Sequence, residues 1–339
     1  MDFLLEYASF LARAVTVLIV ILAVLVMAAA LRSRGKTRAG ELLVTNLNDF
    51  YQDLRETLEL QVLDKAQLKA QHKALAAEAK KAKKAGLNKP RVFVLDFDGD
   101  IKATAADSLR HEITALLSLA QPTDEVVLRL ESGGGMVHSY GLAASQLARI
   151  REANIPLTVC VDKVAASGGY MMACIGNKIL SAPFAVLGSI GVVAQLPNIH
   201  RLLKKNAIDV EILTAGEYKR TLTMLGENTE EGRQKFIQDL QTTHDLFKQF
   251  VLQYRSQLDI DRVATGEVWL GTDALQQQLV DQLQTSDEYL SKRAVDADLY
   301  GLQFIQKKTL QERVGLAAGT AVEHVADKGW ERLQRRFLG

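Results

Sequence analysis

The chain has 339 residues, 48% hydrophobic and 24% charged, with a formal net charge of +1. The composition suits a folded protein with a sizeable core, and the charge balance excludes an overall field that would draw nucleic acid. Its two cysteines, Cys160 and Cys174, form no CxxC pair and no metal-ligand spacing, so no metal or other cofactor is expected and both read as buried thiols.

After a short leading segment (1–13), the stretch Ala14–Leu31 carries no charge and is bracketed by Arg13 and Arg32. Eighteen such residues approach the ~20 that a helix needs to cross a bilayer, and a secretory signal has a shorter apolar core. A retained transmembrane anchor in contact with membrane lipid is predicted. Arg32, Arg34, Lys36 and Arg38 come after it, and the positive-inside bias then places the bulk of the chain in the cytoplasm. Residues 32–89 read as a helical stalk. Its first part, 40–60, is amphipathic, with Leu42, Leu43, Leu47, Phe50, Leu54, Leu58 and Leu60 mostly three or four apart; its second part is rich in Ala and Lys and ends at Gly86 and Pro90.

From Arg91 strands and helices alternate. Strands are predicted at "RVFVLDF", "EVVLRLE", "IPLTVCV", "NKILSAP", "GSIGVVAQ" and "DVEILTA" (209–215), with helices at 105–120, 136–153, 167–176, 197–206 and 229–257. Shorter helices continue to about 293, then a last strand "LYGLQFIQ" and a C-terminal helix within 296–339. Apolar strands between helices imply an α/β domain with a largely parallel sheet buried on both faces. The uncharged run 179–199 is long enough for a second span, but Pro183, Gly188, Gly191 and Pro197 cut it into strand-length pieces.

Three places carry possible chemistry. At 131–136, "ESGGGM" sets three glycines between a strand and a helix, where backbone N–H groups can receive an anion, hold an oxyanion, or merely make a tight turn. At 164–170, "VAASGGY" brings Ser167 to the end of a strand among small residues. Tight packing needs nothing more, whereas a nucleophile needs this open space together with a base to take its proton. The six histidines lie in no distinctive motif; His138, one turn past the glycines, is the best placed and reads as an ordinary helix residue. Lys219 in "LTAGEYKRT" comes just after a predicted strand. Alone it reads as a surface charge, because a lysine acts as a base only when desolvated or repelled.

In this order "ESGGGMV", "AASGGYMMA", "LGSIGVV", "AGEYKRT" and "VWLGTDALQQQLVDQL" resemble the motifs of the signal peptide peptidase A family. The match covers about residues 90–295. The resemblance implies a Clp-protease/crotonase-like fold, preceded here by one N-terminal transmembrane helix and the helical stalk. It also implies a serine peptidase with a Ser–Lys dyad: Ser167 as nucleophile, Lys219 as general base and Ser189 orienting the lysine. Backbone N–H groups of Gly133, Gly134 and Gly168 supply the oxyanion hole. The family more often has Ser-Pro-Gly-Gly where this chain has Ser-Gly-Gly-Gly, and the missing proline bears on the stiffness of that loop.

The resemblance further implies peptide substrates, among them signal-peptide remnants and other apolar peptides, and a homo-oligomeric ring. It places the catalytic domain on the periplasmic side of the inner membrane, against the charge bias, since a long translocated domain need not obey that bias. Two other functions fit the same pattern: a membrane-tethered scaffold without catalysis, and a crotonase-type acyl-CoA enzyme, for which Glu131 is the obvious acidic group.

Overall fold

The computed structural model describes residues 40–70, 73 and 89–306. The predicted span 14–31, most of the Lys-rich half of the stalk and the C-terminal helix lie outside the described residues. The chain divides into two compact units, 42–304 and a second made of 1–41 and 305–339. Only residues 40–41 and 305–306 of the second are described; the first contains the hydrophobic core.

The sheet is built on β2 (Arg91–Gly99), β3 (Glu125–Ser132), β4 (Leu157–Val161), β6 (Lys178–Ser181), β9 (Gln282–Leu283) and β10 (Asp298–Gln306), in the order β10-β2-β3-β4-β6-β9. Every neighbouring pair in that series is parallel. The crossovers between parallel strands are helices: α2 (Ala106–Leu117), α3 (Val137–Glu152) and α4 (Gly168–Ala173). Three short strands leave this path. β5 (Val164–Ala166) joins β3 to β7 (Val186–Gly188), and β7 pairs antiparallel with β8 (Val268–Leu270). The same stretch of chain also contains the short helices α5 (His200–Lys205), α7 (Ile260–Val263) and α8 (Gly271–Gln276), and the long helix α6 (Glu230–Tyr254).

Alternation along the strands sorts the side chains onto two faces. Phe93, Leu95 and Phe97 of β2 and Val126, Leu128 and Leu130 of β3 pack in one cluster with Leu109 and Ile113 of α2 and with Tyr140, Leu147 and Ile150 of α3. The other face carries Val92, Val94, Val127, Cys160 and Leu180. It is covered by Leu290 of α9 (Ser286–Asp296) and by Leu47 and Tyr51 of α1 (Leu47–Val62). Both cysteines are free and buried.

Three predicted elements differ. Residues 40–46 form a strand, β1 (Gly40–Asn46), and the helix starts only at Leu47, where the Asn46 side chain caps it by accepting the Asn48 N–H. Asn48 then anchors α1, donating to the carbonyls of Ala294 and Ala297 and accepting the Leu299 N–H. "GSIGVVAQ" contributes to a strand only at Gly188. "DVEILTA" forms no strand: residues 206–229 contain neither helix nor strand. Among the described residues its alternating apolar residues meet no neighbouring strand, and an unpaired strand has no ladder to hold it. Run 179–199 is β6, β7 and irregular backbone rather than a span, and among the described residues no helix is long and apolar enough to cross a membrane. The compact unit also takes in most of β10, which the motif boundary at 295 left outside.

Glu112 of α2 is only 4% exposed and accepts the Phe304 N–H of β10 at 2.7 Å. Burial pushes its carboxyl up to about 7, against the opposing pull of that N–H. The folded state therefore holds the proton more tightly than the unfolded chain, whose glutamates titrate near ~4.3. Stability should fall as pH rises from there through about 7 and flatten above it, by on the order of 3 kcal/mol. Denaturant titrations at pH 5 and pH 8 should show this loss in the wild type and a smaller one in Glu112→Gln.

Candidate active site

Ser167 occupies a strand–turn–helix junction between β5 and α4, with φ 52° and ψ −119°. This left-handed backbone costs a non-glycine residue about 1–3 kcal/mol and persists only where its surroundings fix it. Here both sides are fixed. The Ser167 N–H donates to the Gly188 carbonyl at 2.8 Å, and the Ser167 carbonyl accepts the Met171 N–H at 3.0 Å. A sharp junction of this kind lifts a side chain clear of the sheet, as in serine-hydrolase elbows.

The parallel register of β5 and β7 ends at Ala166↔Gly188. One residue further on each strand come Ser167 and Ser189, so the two hydroxyl residues stand at neighbouring strand ends. Ser189 is likewise left-handed, at φ 51°, and its N–H donates to the Glu267 carbonyl at 2.6 Å. Thus the segment entering β8 holds Ser189 as β7 holds Ser167.

The glycine run enters from β3, whose last residue Ser132 pairs with Ala165. Gly134 has φ 86°, and a Cβ there would lie 2.7 Å from the Ala166 carbonyl oxygen, the Gly168 nitrogen and Ser167 Cβ. No other residue fits. Around Gly133 there is open space. Gly168 is pressed against an aromatic ring, since its Cβ would fall 2.3 Å from Tyr140 Cγ. Ser167, Ser189, Gly134 and Gly168 therefore converge, and Gly133 adjoins them on the loop.

Lys219 does not join them. It is exposed on the irregular segment 206–229, and among the described residues no hydrogen bond or ion pair engages its ammonium. His138 is exposed on α3. His244 of α6 approaches the Ile190 carbonyl at 3.1 Å, next to Ser189, and is committed to that backbone contact. Glu131 projects from the sheet face opposite Ser132 and pairs with Lys163 at 2.9 Å, which removes the acidic group that an acyl-CoA reading needs at the glycine loop. On that opposite face a cavity of about 330 Å³ is lined by charged groups including Asp96, Arg129, Glu131 and Lys163. The pairs Asp96–Arg129 and Glu131–Lys163 satisfy much of that charge, and the cavity is not part of the serine site.

Sequence reasoning missed Ser132 and Tyr140. The Ser132 hydroxyl accepts the Gly134 N–H at 3.1 Å and lies 2.5 Å from the Tyr140 hydroxyl, which donates to the Asp100 carbonyl at 2.8 Å. Burial pushes the Tyr140 phenol above its ordinary range, so it stays protonated. A faint signal was present: Tyr140 falls on the buried stripe of α3 with Ala144 and Leu147, where an aromatic with a polar end needs a partner.

The chain is similar to known proteins along most of its length. Residues 2–147 match the profile described as peptidase family S49 N-terminal, and residues 149–300 match peptidase family S49. A Haemophilus influenzae protein called "Probable protease SohB" is 47% identical over 349 residues, covering 99% of each chain. A protein of the same description from Buchnera aphidicola subsp. Acyrthosiphon pisum is 47% identical over 92% of this chain and 93% of its own. "Protease 4" of Haemophilus influenzae is 28% identical over 49% of this chain and 27% of its own.

The backbone at Ser167 gives a direct stability prediction. Glycine tolerates φ 52° and alanine does not. Ser167→Gly should therefore be more stable than Ser167→Ala by roughly 1 kcal/mol. Thermal melts of the two variants compare them, and equal stabilities would mean the junction is unstrained.

Proposed function

The chain belongs to peptidase family S49, and on that premise we propose that it is a membrane-anchored serine endopeptidase with a Ser–Lys dyad on a Clp-protease/crotonase-like fold. The observation that carries the reading is the strained strand–turn–helix at Ser167 with Gly134 folded over it. Ser167 Oγ attacks the scissile carbonyl while the Lys219 amine takes the hydroxyl proton. The tetrahedral oxygen is received by backbone N–H groups of the Gly133–Gly134 loop and of Gly168. Lys219 then returns the proton to the leaving amine, and water attacks the acyl-enzyme by the same route in reverse. Ser189, at the neighbouring strand end, hydrogen-bonds and orients the lysine.

Lys219 reaches the site on assembly. The arm that bears it is rich in uncovered apolar side chains: Val193 is 91% exposed and Leu213 90%, with Leu202, Ile208 and Ile212 also outside the core. An exposed apolar surface of this kind marks an interface. In this reading the arm packs against a neighbouring copy in a homo-oligomeric ring and carries Lys219 to that copy's Ser167. The substrates are extended apolar peptides such as signal-peptide remnants. They add a strand along β8, which among the described residues pairs only with β7 and exposes Val268 and Leu270. Residues 14–31 anchor the ring in the inner membrane, with the catalytic domain in the periplasm.

Cleavage of a labelled apolar peptide library by the full-length protein tests the dyad. Ser167→Ala and Lys219→Arg should each abolish it, because arginine keeps the charge but cannot serve as a base. Mixing subunits of Ser167→Ala with subunits of Lys219→Ala should restore part of the activity. A mixture as dead as its parents would place the dyad within one chain, and full activity in Lys219→Arg would remove the lysine from the mechanism.

A further inference from the structure

The Tyr140 side chain is fully buried beneath the glycine loop, and its two ends touch different parts of the serine site. Its hydroxyl belongs to a chain of four groups whose direction is set by its ends. The Gly134 N–H can only donate, and the Asp100 carbonyl can only accept. The two hydroxyls between them must therefore donate in sequence: Gly134 N–H to Ser132 Oγ (3.1 Å), Ser132 to Tyr140 Oη (2.5 Å), and Tyr140 to the Asp100 oxygen (2.8 Å). A second acceptor within reach of the Ser132 hydroxyl, the Gly99 carbonyl, is farther away at 3.3 Å. Every hydroxyl proton has one preferred destination.

At its other end the Tyr140 ring lies against Gly168, the residue after Ser167, closely enough to exclude any side chain there. Phe97 meets the ring edge-on at 6.4 Å and fixes it from behind. The rest of the loop is held by its backbone, Gly134 lying against residues 166–168 and Gly135 against Ile101. Gly133, Gly134 and Gly135 have no side chains to pack, and no proline stiffens the turn. Beyond the loop, the Met136 N–H donates to the Ile101 carbonyl, one residue past the carbonyl that Tyr140 grips. One side chain thus ties together the backbone of both segments that flank Ser167.

We propose that Tyr140 is a positioning residue for the oxyanion site: through Ser132 its hydroxyl holds the Gly134 peptide, and its ring holds the peptide between Ser167 and Gly168. Tyr140 touches no reacting atom. Its effect is to preorganise donors, which lowers the barrier without changing how tightly substrate binds. The assignment rests on the serine-peptidase reading of Ser167.

Steady-state kinetics of full-length wild type, Tyr140→Phe, Ser132→Ala and the double variant test it, beside thermal melts of each. Either single change should lower kcat by about tenfold or more while KM stays within about twofold. The double variant should be no worse than the weaker single, because both changes break one chain. Amide exchange of the peptide 130–137 should speed up in Tyr140→Phe, and this is readable without any substrate. Should Tyr140→Phe fail to fold, Ser132→Ala carries the same comparison alone. Wild-type kcat and wild-type exchange in a folded variant would overturn the assignment, as would losses that add in the double variant and track the melting temperature. A wild type that neither cleaves peptides nor reacts at Ser167 with a fluorophosphonate would instead overturn the peptidase reading on which it rests.

Discussion

A serine held at φ 52° is the constraint around which the surrounding structure is arranged. Relaxed, Ser167 would fall back into the extended region that non-glycine residues prefer. Three neighbours prevent this: the Gly188 carbonyl takes its N–H, α4 begins at the next residue and takes its carbonyl, and Gly134 closes over it at a distance that only glycine permits. Free energy stored in the backbone here is offset by the core beneath. That core includes Tyr170 and Met172 of α4, both fully buried, and Tyr170 donates to the Leu279 carbonyl at 2.9 Å. The strain is local and the support for it is spread widely.

The support continues behind α4. Arg255, at the end of α6, is 3% exposed and makes two hydrogen bonds to the Asp281 carboxylate and one to the Gln278 carbonyl. Asp281 also accepts the Ile179 N–H of the β6 segment. Arg255 is buried while Asp281 stays open to solvent, so the pair contributes little net stability by itself, yet losing Asp281 would leave the buried guanidinium uncompensated. Its position explains a use for it: it fixes the turn 276–281 against the sheet edge, and that turn in turn receives Tyr170. The helix that follows Ser167 is thereby tied to the turn 276–281.

Parallel strands deliver these parts to one place because all of them run in the same direction. β3 ends at the glycine loop, β5 at Ser167 and β7 at Ser189, so their carboxyl ends assemble a site from residues far apart in the chain, as open α/β sheets do. The arm 192–229 departs from this logic. It closes on itself through Asn198 and Asn228, which bond the backbone around Thr223 and Gly226, while its apolar side chains face outward.

Much of the fold was legible in the sequence. Uninterrupted apolar strands between helices point to a sheet buried on both faces, and the breaks at Pro183 and Gly188 favour strand-length pieces over a membrane helix there. The close-packed glycines and Ser167 were also visible as a pattern, because a tight strand-to-helix turn admits few residue types. Local composition could not distinguish the strand 40–46 from the helix after it, since leucines spaced for a helix face also occur in a strand, and only the docking of Asn48 onto β10 and α9 sets the boundary. Nor could it show that "DVEILTA" has no strand partner among the described residues, because pairing is a property of what lies alongside. The Gly134–Ser132–Tyr140–Asp100 chain was the least accessible of all. Its members are separated by up to 40 residues, none is unusual where it stands, and they acquire their roles only when β2, β3 and α3 bring one donor, two hydroxyls and one acceptor to within hydrogen-bonding distance.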